Sequence, residues 1–218
     1  MRFKDRTYAG RQLAELLSTY KNHNPYIFAL PRGGVPVGYE IAKKLDAPLD
    51  IVVVRKLGVP FNPELGFGAI APGEIVITND ELISAFDISD KEIEYIKAKE
   101  KAEMDRRIKM YRGDNIMPDL TSKTAILVDD GIATGLTARA AIRFIKNYNP
   151  KIIVVAAPVC APDSLQELKA EADDVVCIDA PFDFRAVAEW YREFPQVSDD
   201  SVVAIMKSFQ IAKEIYAD

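Results

Sequence analysis

Apolar and polar positions alternate along the chain between two periods. Ala9, Leu13, Leu16, Leu17 and Tyr20 recur at helical spacing, and Pro25 ends that pattern before the apolar run Tyr26-Ile27-Phe28-Ala29-Leu30. These spacings predict a helix and then a strand. After the turn Pro31-Arg32-Gly33-Gly34, residues 35–45 place Val37, Ile41, Ala42 and Leu45 on one helical face, and Pro36 suits a first turn. The run 49–54 is β-branched and almost wholly apolar, as a parallel strand covered on both faces requires. Strand, helix and strand in this order predict a right-handed crossover.

Between 58 and 73 the periodicity fails, and Pro60, Pro63, Gly66, Gly68, Pro72 and Gly73 suggest a long loop without regular structure. Loops of that length are uncommon unless they carry function. A short strand over 74–78 and a long charged helix over 89–112 follow, the latter turning Ile93, Ile96, Met104, Ile108 and Tyr111 inward. The alternation then resumes: strand 124–128, helix 136–148, strand 152–157, helix 163–172, strand 175–178. The expected fold is α/β, an open parallel sheet with helices on both faces. One domain over 1–218 is expected, with 73–120 as a helical insertion and 180–218 as a C-terminal segment. In that segment Phe182, Phe184, Trp190, Tyr191 and Phe194 crowd together before a last helix near Ser198.

Composition narrows the class. With 218 residues, 49% of them apolar and 28% charged, the chain can bury a core and does not resemble a disordered one. The 28 basic against 33 acidic side chains give −5, which argues against nucleic acid or an anionic membrane as a partner held by bulk charge. No apolar run reaches the length of a membrane span, and the first residues lack the apolar stretch of a secretory signal, so a cytoplasmic protein is expected. Cys160 and Cys177 lie in or beside Val/Ile-rich runs and are expected as buried free thiols. With His23 the one histidine, a Cys/His zinc site is excluded.

The stretch richest in chemistry is 125–137. An apolar strand runs into Asp129-Asp130, then into Gly131-Ile132-Ala133-Thr134-Gly135 and the helix opened by Leu136-Thr137. Open α/β sheets bind ligands at such strand ends. Gly131 and Gly135 let backbone approach a phosphate, and the helix start offers N–H groups and positive potential. The two acids would repel a phosphate and call for hydroxyls or a cation instead, and a ribose 5-phosphate meets both halves. Alternatively the acids end a strand and cap a helix.

Residues 126–135 match the phosphoribosyl pyrophosphate signature of type I phosphoribosyltransferases: three apolar residues, two acids, three variable positions, then Thr or Ser and Gly. Leu30-Pro31-Arg32-Gly33-Gly34 resembles the family's pyrophosphate loop, and Arg55-Lys56 resembles its basic residues ahead of a mobile loop. The resemblance spans roughly 8–180. It implies that Asp129 and Asp130 hold the ribose hydroxyls and that Gly131, Ile132, Ala133, Thr134, Gly135, Leu136 and Thr137 cradle the 5-phosphate. It further implies that Pro31, Arg32, Gly33, Gly34, Arg55 and Lys56 receive the diphosphate, and that Phe182, Phe184 and Trp190 meet the base. Asp129, Asp130 and Lys56 would stand at the reacting end. Magnesium would enter with the substrate near Asp129 and Asp130 rather than in a permanent protein site.

The implied reaction is transfer of a phosphoribosyl group to a nitrogenous base, or a related nucleophile, with release of pyrophosphate. Its partners would be phosphoribosyl pyrophosphate and a small base or nucleotide. The competing reading is a regulator or sensor that binds phosphoribosyl pyrophosphate or a nucleotide without turnover. A phosphohydrolase using Asp129 as nucleophile would leave the Arg-Gly-Gly loop unexplained. Gly33-Gly34-Val35-Pro36-Val37-Gly38 has the glycines of a Walker loop but continues into Tyr39-Glu40, against nucleoside triphosphate hydrolysis. Hypoxanthine and guanine enzymes of the family carry an acid where this chain has Ile132 or Ala133, so the acceptor stays open. Glu64 is either a solvated acid or a contact to substrate or magnesium. The helix over 89–112 would cover the site or join subunits, so a homo-oligomer is among the expected states.

Overall fold

A computed structural model describes residues 2–114 and 116–215 of the chain. Five strands, β1 (Pro25–Ala29), β2 (Leu49–Ile51), β6 (Thr124–Val128), β7 (Ile152–Val159) and β8 (Asp174–Asp179), form a parallel sheet in the order β2-β1-β6-β7-β8. Alternate strand residues enter two different cores. Ile27, Ala29, Ile126, Val128, Val154 and Ala156 pack with α1 (Arg6–Leu16), α2 (Gly34–Leu45) and α7 (Asp199–Ile215). Phe28, Leu30, Ala125, Leu127, Ile153 and Val155 pack with α5 (Leu136–Lys146) and α6 (Pro162–Glu171). A sheet covered on both faces needs apolar residues at every position, which accounts for the unbroken hydrophobic runs.

Local signals fix most boundaries. Asp5 caps α1 by accepting from the Tyr8 N–H, Asp46 ends α2 in the left-handed region, and Pro162 stands in the first turn of α6. The run 49–54 is a strand only to Ile51, although Val52, Val53 and Val54 remain buried.

The long loop expected over 58–73 is instead a β-hairpin. Strands β3 (Arg55–Val59) and β4 (Asn62–Ala71) pair antiparallel, and β5 (Ile75–Thr78) adds a third strand. The glycines that suggested a loop permit close strand approach: a Cβ on Gly68 would lie 2.6 Å from the Ile77 carbonyl oxygen. The register shifts beside Gly58, where a Cβ would lie 2.6 Å from the Pro63 carbonyl oxygen. The boundary expected at 73 falls inside this small sheet, since β4 pairs with β5 across it. A short helix, α3 (Asp80–Ala85), precedes α4 (Asp90–Arg112), which starts in a capping box between Ser89 and Glu92. Among the described residues no helix is long and apolar enough to cross a membrane.

Candidate functional site

At the carboxyl end of β6, backbone hydrogen bonds hold the acid turn in place. The Asp129 N–H reaches the Ala156 oxygen at 3.2 Å, and the Asp130 N–H bonds back to Asp129 Oδ1 at 2.8 Å. Ile132 donates to the Val159 oxygen and accepts from Ala161, and its side chain is buried. Ile132, expected in the phosphate cradle, has both backbone groups bonded within the fold and its side chain buried. Ala133 and Thr134 are exposed, Thr137 is half-buried and Leu136 is buried. The Ala133 carbonyl accepts from the Ser164 hydroxyl. Gly135 takes φ +70° at the start of α5, where no described side chain caps the helix. Its first N–H groups therefore face outward with the positive end of the dipole.

The Arg-Gly-Gly loop sits directly on this turn. The Leu30 N–H donates to the Val128 oxygen at 2.8 Å, joining the ends of β1 and β6. The Pro31–Arg32 peptide is cis. A Cβ on Gly33 would lie 1.9 Å from Asp130 Oδ2, and one on Gly34 would lie 2.6 Å from the Val128 oxygen. Both positions need glycine for the two loops to touch. Gly131 has the same constraint from the other side, where a Cβ would meet a Val187 methyl at 2.4 Å.

The basic residues are already engaged. Arg32 pairs with Asp199 at the start of α7 at 3.3 Å, and Asp199 also accepts from the Tyr111 hydroxyl at 2.5 Å and from Arg106 at 3.0 Å. The Tyr111 hydroxyl first, then Arg106 and the arginines beside it, hold the Asp199 carboxyl down to about 2. Arg55 pairs with Glu100 of α4 at 2.7 Å. Lys56 donates to the Glu64 backbone oxygen at 2.6 Å, and the Glu64 carboxylate lies 3.6 Å away, almost wholly exposed. The structure brings Gly33 against Asp130 and Gly34 against Val128 and Asp129, whereas Arg55 is held by Glu100 and Lys56 by Glu64. Of the expected base contacts, Phe182 is fully exposed, while Phe184 and Trp190 pack around Phe3, Ala9, Val159 and Tyr191.

Three residues at the site were missed by sequence reasoning. Arg6, in the first turn of α1, is buried and donates from Nε to Asp130 Oδ2 at 2.7 Å. The Tyr191 hydroxyl donates to the Asp130 backbone oxygen at 2.6 Å. Asp199, at the start of α7, accepts from Arg32, Tyr111 and Arg106. None carries a local signal: Arg6 meets Asp130 across 124 positions. Burial is the main force raising the Asp129 carboxyl well above its usual range, and the adjacent Asp130 charge adds to it. Burial also raises Asp130, opposed by the charge and hydrogen bond of Arg6. A buried acid pair of this kind suits neutral hydroxyl partners better than a second anion. Among the described residues no three His, Cys, Asp or Glu side chains are grouped to hold a metal ion. Cys160 is buried and Cys177 half-buried, both as free thiols.

The phosphoribosyl transferase domain family matches residues 8–193. A Mycobacterium tuberculosis protein provisionally named a phosphoribosyl transferase is 43% identical over 204 residues, covering 94% of this chain and 46% of that protein. The chain thus spans about half the length of these curated relatives. The crystal structure of TT1426 from Thermus thermophilus superposes with a TM-score of 0.78 at 37% identity, covering 96% of this chain and 99% of that one. A uracil phosphoribosyltransferase of Malacoplasma penetrans is 36% identical over 73 residues, 34% of this chain and 35% of that protein. With its parallel sheet, acid turn and Arg-Gly-Gly loop, the chain belongs to the phosphoribosyl transferase domain family.

Proposed function

We propose that the chain transfers a phosphoribosyl group from phosphoribosyl pyrophosphate to a nitrogenous base or related nucleophile, releasing pyrophosphate. The observation that carries this reading is the contact between the Gly33-Gly34 loop and Asp130 beside the uncapped start of α5. It gathers a diphosphate loop, two hydroxyl-accepting acids and a phosphate-accepting helix start at one strand end.

In this reading Asp129 and Asp130 accept hydrogen bonds from the ribose hydroxyls. The 5-phosphate meets Thr134, Thr137 and the N–H groups of Gly135, Leu136 and Thr137. Arg32 and the amides of residues 32 and 33 take the diphosphate, with Pro31 and Gly34 shaping the loop. Arg55 and Lys56 join it by leaving Glu100 and Glu64. Magnesium, carried on the donor's own oxygens near Asp129 and Asp130, would supply charge neutralisation when bound. The protein positions donor and acceptor and offsets charge on the departing pyrophosphate, which are the large terms for such a transfer. Residues 180–218 would form the cover for the acceptor, with Phe182, Phe184 and Trp190 as its aromatic faces. Residues 73–120 would be an insertion bracing the Arg32 side through Tyr111 and Arg106.

The experiment is pyrophosphate release from magnesium phosphoribosyl pyrophosphate across a panel of purine and pyrimidine bases. Release that depends on one base class is expected. Donor binding with no release for any acceptor would overturn transfer in favour of a sensor.

A further inference from the structure

Arg6 contributes to neither substrate in the mechanism above, yet its guanidinium lies at the acid turn with three contacts. Nε holds Asp130 Oδ2 at 2.7 Å, Nη1 donates to the Pro195 carbonyl at 2.6 Å, and the planar group lies 3.7 Å from the centroid of the Phe194 ring. The side chains of the pair are only 10% and 13% exposed. The backbone around Arg6 is fixed on both sides. Asp5 caps α1 just ahead of it, and residues 3 and 4 bond to residues 190–193 through Phe3 to Trp190, Arg192 to Phe3 and Glu193 to Lys4. Across the turn, Asp130 Oδ2 abuts Gly33 so closely that no Cβ fits between them.

We propose that Arg6 is a positioning residue for the donor's ribose. It fixes one oxygen of Asp130, so that the rest of the carboxylate meets the hydroxyls at a set distance from the Arg32 loop, and the same guanidinium ties that acid to residues 191–195. The inference rests on the phosphoribosyl pyrophosphate reading of the acid turn. Three physical arguments carry it. A planar guanidinium can stack flat on an aromatic ring while its edge donates to a carboxylate and a carbonyl, a fixed geometry that a compact ammonium lacks. Two adjacent carboxylates would repel a donor bearing a phosphate and a diphosphate, and Arg6 cancels one of those charges in a poorly solvated place. Without it, Asp130 would lose the only side-chain ion pair recorded for it among the described residues and could turn away from the ribose.

The test separates ribose from diphosphate. The intact protein and its Arg6→Met and Arg6→Lys variants are titrated with magnesium phosphoribosyl pyrophosphate and, separately, with magnesium pyrophosphate, which lacks the hydroxyls that Asp130 would hold. Arg6→Met should raise the donor Kd about tenfold or more while leaving the pyrophosphate Kd within about twofold, as expected for a lost charge-assisted contact. Arg6→Lys should recover part of the loss. Equal weakening of both ligands, or of neither, overturns the proposal. If Arg6→Met shows no cooperative unfolding transition, Arg6→Lys carries the test, and unchanged donor affinity there overturns it. Failure of the unaltered protein to bind the donor removes the site reading and this proposal together, whereas normal binding with an indifferent Arg6→Met removes this proposal alone.

Discussion

The acid turn and the β3–β4 hairpin carry the same kinds of residue, glycines beside charges, but they are built differently. At the acid turn the glycines face backbone or a buried carboxylate: Gly34 faces the Val128 oxygen and Gly33 faces Asp130. In the hairpin, Gly58 and Gly68 likewise meet backbone, but toward the open end Gly66 faces the methylenes of Lys56, and Phe61 and Glu64 project almost wholly into solvent, so that this end is the adjustable one. One region is locked by strands that cannot move without disturbing the core. The other is closed by long, flexible side chains that a ligand could draw away. The difference separates a preformed part of the site from a part that can adjust, and the helix α4 connects them through Arg55–Glu100 on one side and the Tyr111–Asp199–Arg32 chain on the other.

The largest expected effect falls on the locked region. Asp129→Asn with Asp130→Asn should lower donor affinity by roughly 100-fold or more while the unfolding midpoint stays within a few degrees, since both carboxyl acceptors for ribose are lost together. A folded double variant with native affinity would break the comparison at its stronger end.

Alanine at matched glycines sharpens the contrast. Gly34→Ala should cost about 1–3 kcal/mol in denaturant unfolding, because the new methyl meets strand backbone at 2.6 Å. Gly66→Ala meets Lys56 side-chain carbons at 2.8 Å, which can swing aside, so its cost should stay below about 1 kcal/mol. Equal costs would show that the hairpin is as rigid as the turn.

A smaller effect concerns the tie between the regions. Because the Tyr111 hydroxyl, Arg106 and Arg32 hold Asp199 at about 2, below the usual carboxylate value, its folded-state benefit is complete above about pH 5 and fades as pH falls toward 2. Asp199→Asn should therefore lower stability by about 1–2 kcal/mol at pH 7 and converge with the unaltered chain near pH 2. A difference that stays constant with pH would contradict the role given to its charge.

Much of the fold was legible because buried parallel strands need unbroken apolar runs, and 26–30, 125–128 and 152–157 have them. The acid turn was legible because its chemistry is local: two acids, a Gly/Thr turn and a helix start stand in consecutive residues. The hairpin was not, since its pairing uses glycines for close approach, and a one-dimensional pattern reads those as breaks. Arg6 and Asp199 were invisible for a related reason. Their partners lie 124 and 167 residues away, and a charged residue in a first helical turn looks the same whether it faces solvent or a buried carboxylate. Arg55 and Lys56 were expected at the end of the 49–54 strand ahead of a loop; they instead open β3, and their pairing with Glu100 and Glu64 is decided by tertiary packing that no local pattern shows.

The central claim is that the acid turn and the Arg-Gly-Gly loop together form a site for a ribosyl diphosphate. Calorimetric titration of the intact protein with magnesium phosphoribosyl pyrophosphate, set beside magnesium pyrophosphate and ribose 5-phosphate, tests it most directly. Saturable one-site binding of the donor, tighter than of either fragment, is the predicted result. No saturable binding, or binding of the donor no tighter than of pyrophosphate alone, would contradict the claim.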